Sequence, residues 1–160
     1  MNYLDIFDSA KVWIKYVHFL NRKYYKNDFL EIGAGIGSFT DKYRRNIKNI
    51  FLTEIDKNNL NILKKKYQND TNITILESEV TKISQKFNTI CHFNVLEHVK
   101  EDKKEIINCL NRINKDGYLI ILVPAHNELY SNLDREVGHY RRYKKSFFKD
   151  LNLSDGKIVE

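Results

Sequence analysis

The chain has 160 residues, 42% of them hydrophobic and 30% charged, which is the composition of one globular domain with material for a single core. No apolar run reaches the ~18 residues that a bilayer span requires, and the first residues lack the basic, apolar and small-residue order of a secretory signal, so the expected location is cytoplasmic with no transmembrane segment. The net charge of +6 comes from lysines spread along nearly every helical pattern, the signature of a solvated surface and a weak argument for nucleic acid.

In chain order, residues 3–25 read as an amphipathic helix. Its aromatics Tyr3, Phe7, Trp13, Tyr16 and Phe19 either pack on the body of the domain or form a lid. Short runs rich in β-branched and aromatic residues follow at 28–32 (DFLEI), 49–55 (NIFLTEI), 72–78 (NITILES), 87–94 (FNTICHFN) and 117–124 (GYLIILVP). Helical patterns separate them at 38–47 and 57–67, then, after a short link near Val80, at 101–113, where Ile106, Ile107, Leu110 and Ile113 follow the spacing of one helix face. Strands alternating with helical crossovers predict an α/β fold with a doubly wound, mainly parallel sheet. The expected layout is one domain: residues 1–27 a helical lid, 28–124 a ligand-binding core and 125–160 a substrate-side segment. In the last of these KKSFFKDLNL is a predicted helix and DGKIVE opens a predicted strand. Cys91 and Cys109 fall in core-like patterns and are expected to be reduced thiols; no metal is expected.

Three of the six glycines stand at Gly33, Gly35 and Gly37, directly after the first predicted strand. Such a cluster marks a backbone that turns sharply or lets a ligand approach closely, and in a doubly wound sheet this loop lies where ligands bind. A dinucleotide fingerprint would need glycine at 38, where the chain has Ser38, so a pyrophosphate turn is disfavoured. Acidic residues accumulate instead. Glu31 precedes the glycines, Glu54 closes the second strand, where a carboxylate can accept from ribose hydroxyls, and Glu79 follows the third, where it could take an adenine amine beside the Val80 N–H. Together they describe a pocket for an adenosine that carries positive charge.

The ordered segments LEIGAGIGSFT, LTEID, ILESEV, FNVLEHVKED and GYLIILVPA resemble the class I S-adenosylmethionine-dependent methyltransferases over residues 29–143. The resemblance implies a Rossmann-like sheet of order 3-2-1-4-5, with S-adenosylmethionine as cofactor and S-adenosylhomocysteine as product. It implies that Gly33, Gly35 and Gly37 pass the methionine part and that Glu31 supports its ammonium. Glu54, with Ile55 beside it, would serve the ribose, Glu79 and Val80 the adenine, and Asn94 the methionine moiety through its backbone. The chain departs from the family at Asn88 and Glu79, where aspartate is common. It also ends within the strand pair that usually completes the sheet, so an exposed fifth strand that invites self-association is expected.

The first three motifs also look like those of ribosomal-RNA adenine dimethyltransferases, but Asn94-Val95-Leu96-Glu97 lacks the proline and aromatic that follow strand four in those enzymes. NVLEHVKED and DREVGHYRRY look instead like small-molecule methyltransferases acting on quinones, sugars or lipids. The reading is methyl transfer to a small-molecule or lipid- or sugar-linked acceptor, with oxygen as the receiving atom. A cofactor-binding scaffold without turnover is the second reading and an RNA methyltransferase the third. His139 and His126 are the candidate bases; Arg142 and Tyr143, beside Arg141 and Tyr140, are the candidate substrate contacts. His98 is read as a packing or capping residue.

Overall fold

The computed structural model describes residues 10–151; the opening of the predicted N-terminal helix and the predicted strand at 155–160 lie outside them. Helix α1 (Lys11–Asn21) precedes β1 (Phe29–Ile32), and α2 (Thr40–Tyr43), β2 (Ile50–Thr53), α3 (Lys57–Lys66) and β3 (Ile73–Leu76) follow. After a 3-10 turn at Val80–Lys82 come β4 (Phe87–Phe93), a second turn at Leu96–His98, α4 (Asp102–Leu110), β5 (Ile113–Leu122), α5 (Asn132–Glu136) and α6 (Lys145–Lys149). The five strands form one sheet of order β3-β2-β1-β4-β5 with every pairing parallel. That is the predicted fold and strand order.

Alternation along β1 explains why both faces of the sheet are covered. Phe29 enters a core with Ile14 and Val17 of α1, Tyr43 of α2 and Leu63 of α3. Leu30 and Ile32 point to the other face and meet Val80, Ile83, Phe87, Ile90 and Cys109 of α4. Successive side chains on a strand face opposite ways, and a parallel sheet clad by helices buries both sets. Both cysteines are free and buried. A third cluster joins Leu96, Ile106 and Tyr143, with Phe147 and Phe148 of α6 packed against it, and so ties the segment after β5 back onto the exit of β4.

Three boundaries differ from the sequence reading. Residues 38–47 form only one α-helical turn, Thr40–Tyr43. Trp13 packs edge-on against Phe39 at 5.6 Å, while Tyr16 and Phe19 are exposed; the helix anchors through Ile14, Val17 and Trp13 and turns the other two aromatics outward. Strand β5 begins at Ile113 and not at Gly117: Ile113 pairs with Phe87, and the register then shifts before Thr89 meets Tyr118. Asp116, at φ 63°, makes the bend that the irregularity requires.

Gly117 completes this bulge. A Cβ there would stand 2.9 Å from the carbonyl oxygens of both Asn114 and Asn88 and 2.5 Å from Ile113 Cγ2. Backbone oxygens cannot rotate aside as a side chain can. Gly117→Ala is therefore expected to cost about 1–3 kcal/mol, the range for overpacking, read as a lower urea midpoint with an unchanged denaturant slope.

Candidate functional site

Because every strand runs parallel, their carboxyl ends meet at one edge. Backbone ladders fix the meeting: Ala34 N–H donates to Thr53 O at 2.9 Å, Glu54 N–H to Leu76 O at 3.2 Å and Asn94 N–H to Leu122 O at 2.9 Å. The loop after β1 takes positive φ at Gly33, Gly35 and Gly37 (64°, 58° and 80°). Two of these glycines answer to the protein's own packing: a Cβ on Gly33 would stand 2.8 Å from Val95 Cγ2, and one on Gly37 would overlap the Tyr67 ring. The far side of the loop is tied down by Tyr67 Oη, which donates to Gly37 O at 2.9 Å, and by Lys66 Nζ, which donates to Ile36 O at 3.0 Å.

Glu54 is clasped to this loop. Its Oε2 accepts from Gly35 N–H at 2.8 Å, and its Oε1 accepts from the N–H groups of Ile55 and Asp56 at 2.7 and 2.8 Å. A carboxylate offers about four acceptor positions, so one remains for a ligand hydroxyl and a second opens only if the Gly35 bond is released. The Ile55 side chain is 73% exposed and contributes its N–H alone. Glu79 is exposed and precedes the turn that begins at Val80 without a side-chain hydrogen bond to cap it, while the Val80 side chain is in the core. Asn94 ends β4 with φ 54°, so the chain leaves the strand through a left-handed residue at the ligand edge.

Glu31 takes a different position. Its carboxylate is 2% exposed and accepts from Thr40 Oγ1 at 2.5 Å and from the Tyr43 hydroxyl. It therefore braces α2 against the sheet instead of facing a ligand directly. Burial pushes it up to about 7, against the opposing hydrogen bonds from Thr40 and Tyr43.

On the acceptor side the structure separates the predicted residues. His126 is solvent-exposed, at φ 65°, with its imidazole 3.2 Å from Glu128, and it touches another candidate only through its peptide N–H, which donates to Tyr143 O at 3.1 Å. Tyr143 is 4% exposed; its hydroxyl lies 3.1 Å from both Leu96 O and Asp102 Oδ2, so it is a core residue, a correction to its reading as a substrate contact. Arg142 is not free to grip a substrate: its Nε and Nη2 donate to the two oxygens of Asp134 at 2.8 and 3.0 Å. Arg141 is bound to Asp102 at 2.6 Å and to Lys100 O at 2.9 Å. Arg141 fastens the segment after β5 to the exit of β4, and Arg142 ties that segment to itself.

His139 lies among other polar side chains. Its Nδ1 lies 3.0 Å from Asp134 Oδ1, and Asp134 is also capped by Ser131, whose N–H donates at 2.9 Å. The hydrogen bonds from Arg142, then those from His139 and Ser131, hold the Asp134 carboxyl well below its ordinary range despite burial. The other nitrogen of His139, Nε2, points toward Glu97 Oε1 at 4.0 Å, and its ring meets His98 edge-on at 4.7 Å. Glu97 is fully buried, and neither carboxylate oxygen has a hydrogen-bond partner. Burial pushes it up to about 7. Glu97 and Asp134 escaped the sequence reading. Glu97 stood in a motif valued for what it lacked, and Asp134 carried a signal that could have been used, the Ser131-x-x-Asp134 capping box at the start of α5.

A family model described as "Methyltransferase domain" matches residues 7–152. Ribosomal RNA small subunit methyltransferase A of Wigglesworthia glossinidia brevipalpis is 34% identical over 85 residues, 52% of this chain and 32% of that protein. The chain thus spans about a third of the length of this curated relative. Among solved structures, the YcgJ protein of Bacillus subtilis superposes with a TM-score of 0.73 at 14% identity, covering 84% of this chain and 64% of that one. The N-methyltransferase NodS of Bradyrhizobium japonicum WM9, crystallised with S-adenosyl-L-homocysteine, superposes with a TM-score of 0.68 at 16% identity over 89% of this chain and 71% of that one. No helix among the described residues is long and apolar enough to cross a membrane.

The Glu31 brace has a measurable titration. An acid raised from 4.5 to about 7 on folding contributes stability that is present below 4.5 and lost as pH rises through 7. Buried His92, pushed down to about 4, has the opposite slope, so the informative quantity is the difference between wild type and Glu31→Gln. That difference should move in favour of the variant by up to about 3 kcal/mol between about pH 4.5 and pH 7.5, measured by chemical denaturation at both ends.

Proposed function

The chain belongs to the methyltransferase-domain family, and from that premise we propose that it transfers a methyl group from S-adenosylmethionine to a small-molecule or lipid- or sugar-linked acceptor, with oxygen as the receiving atom. The observation that carries the reading is the clasp between Gly35 N–H and Glu54 at 2.8 Å. It sets a carboxylate with one free acceptor position beside a left-handed glycine turn, and Val95, the residue against Gly33, is two residues from Glu97. A cofactor side and an acceptor side are thus one contact apart.

The residues fit the cofactor. The Gly33–Gly37 turn would pass its methionine part, Glu54 its ribose, and Glu79 with the Val80 N–H its adenine, with Asn94 beside the turn. When bound, the cofactor supplies an electrophilic methyl on a sulfonium, displaced in line, so the protein's task is to hold an acceptor atom against it. Glu97, His98 and His139 provide the polar wall for that atom. His139, oriented by Asp134, is the group assigned to an acceptor hydroxyl. The likeness to NodS supports the fold, and the S-adenosyl-L-homocysteine in that protein's crystals supports this assignment by analogy.

An RNA substrate is favoured by one observation, the similarity to the ribosomal RNA enzyme. Against it stands the exit of β4, where Leu96 and Glu97 are buried and the segment Asn94-Val95-Leu96-Glu97 carries no aromatic side chain for a flipped base.

Calorimetric titration tests the cofactor side. Glu54→Ala should weaken S-adenosylhomocysteine binding by about ten- to hundredfold, the value of charge-assisted hydrogen bonds, and NADH should not bind; unchanged affinity in the folded variant would remove Glu54 from the site. On the acceptor side, His139→Ala should lower turnover by about 10²- to 10⁴-fold with S-adenosylhomocysteine affinity intact. Failure to release S-adenosylhomocysteine with any acceptor, alongside intact cofactor binding, would turn the reading to a scaffold.

A further inference from the structure

Glu97 poses an unsolved electrostatic problem. A carboxylate taken out of water costs several kcal/mol unless it is paired or hydrogen-bonded, yet this one is 0% exposed and both its oxygens lack a partner. The nearby cations are already committed, Arg142 to Asp134 and Arg141 to Asp102. What faces Glu97 is a pair of imidazoles: ligand atoms of Glu97, His98 and His139 all lie within 4.8 Å of one another.

We propose that Glu97, His98 and His139 bind a divalent first-row transition-metal ion. The 4.0 Å between His139 Nε2 and Glu97 Oε1 is too long for a hydrogen bond. It is within reach of two ligands on one ion: bonds of about 2.0–2.2 Å set neighbouring ligand atoms about 3.4 Å apart at a tetrahedral angle and about 4.2 Å apart when opposed, so the ligands close in by a few tenths of an ångström as the ion binds. The partner of the other His139 nitrogen fits as well. Asp134 lies 3.0 Å from Nδ1, the carboxylate–histidine arrangement that leaves Nε2 with its lone pair aimed at a metal, and Arg142 in turn fixes both oxygens of Asp134. The two segments carrying the ligands are pinned before any ion arrives, by Tyr140 N–H donating to Glu97 O at 2.8 Å and Tyr143 Oη donating to Leu96 O at 3.1 Å.

The donor set selects the ion. Two imidazoles and one carboxylate suit manganese, iron, cobalt or zinc, whereas magnesium and calcium prefer oxygen ligands throughout. Three protein ligands leave coordination positions open, the mark of a working site and not of a structural one. An acceptor oxygen could occupy them and bind as a stronger nucleophile. The proposal rests on the methyltransferase reading and changes the part of His139 in it: with Nδ1 on Asp134 and Nε2 on the ion, the imidazole holds the ion and the ion takes over activation of the acceptor oxygen; the test needs no turnover.

The second group of possible ligands, His92, Glu105 and Cys109, supplies an internal control. Metal-free full chain is titrated with Co²⁺, Mn²⁺, Zn²⁺ and Mg²⁺, with calorimetry for affinity and the visible spectrum of Co²⁺ for ligand type. One equivalent of Co²⁺ should bind, without the strong near-ultraviolet band of a thiolate ligand, and more tightly than Mg²⁺. Glu97→Gln and His98→Ala should each lower Co²⁺ affinity at least tenfold, and Asp134→Asn about 10- to 100-fold. Glu105→Gln should leave it unchanged, and S-adenosylhomocysteine binding by each variant reports an intact fold. Absence of saturable binding, wild-type affinity in Glu97→Gln and His98→Ala, loss of binding in Glu105→Gln, or Mg²⁺ bound as tightly as Co²⁺ would each overturn the assignment. If S-adenosylhomocysteine fails to bind the wild type while Co²⁺ binds, the methyltransferase reading falls and the metal site stands.

Discussion

Desolvated carboxylates govern this edge of the sheet, because each must be compensated and the manner of compensation fixes its role. Glu31 is met by two hydroxyls and becomes a brace. Glu54 is met by three peptide N–H groups, which keep it in place at the mouth of the glycine turn with one lone pair to spare. Asp134 is met by a guanidinium, an imidazole and a cap, and so orients His139. Glu97 alone is met by nothing within the described chain. Glu31 and Asp134 are thus spent on the protein itself, Glu54 keeps one acceptor position, and Glu97 is the carboxylate among these four without a hydrogen bond.

That separation depends on the parallel sheet. With β1 between β2 and β4, the glycine turn is flanked by Thr53 and Glu54 on one side and by Asn94 and Val95 on the other. Gly33 draws on both: its N–H lies 3.3 Å from Thr53 Oγ1, and its missing Cβ makes room for Val95. A side chain at 33 would push against the very turn that carries Glu97 and His98, so the two halves of the site share one constraint. The glycine count of this loop, read from sequence as room for a ligand, is in part room for the protein itself.

The fold was legible because its signals are local and repeated. Runs of β-branched residues, the 3.6-residue spacing of Leu60 and Leu63 in α3 and the N-cap of Asp56 over Asn58 and Asn59 each point to one element. The misreading of 113–116 arose because Ile113 fits a helix face as well as a strand, and only its pairing with Phe87 decides. The residues proposed for the cofactor side were legible as positions, because strand ends are local signals and the parallel sheet brings them to one edge; that Glu31 is spent on Thr40 and Tyr43 was not. The acceptor side was less legible, since a basic residue in sequence says nothing of its partner. Arg142 and Tyr143 sit next to each other and look alike as substrate contacts, yet one is bound to Asp134 and the other is buried on Leu96 and Asp102.

Burial of Glu97 also explains why the segment after β5 must be held so firmly. Residues 125–143 have little regular structure beyond α5, and a polar loop of that kind would ordinarily be mobile. Here the Asp102–Arg141 and Asp134–Arg142 pairs, the parallel bridge between Ala125 and Tyr143 and the ring of Tyr143 on Phe147 and Phe148 fasten it at several points. Each is modest alone. Together they position His139 against a carboxylate that water cannot reach, and a histidine displaced by an ångström would neither share an ion with Glu97 nor keep its contact with Asp134. The ion pairs are better understood as setting that geometry than as adding stability, since their acids are buried and the desolvation of a buried pair offsets much of its Coulombic gain.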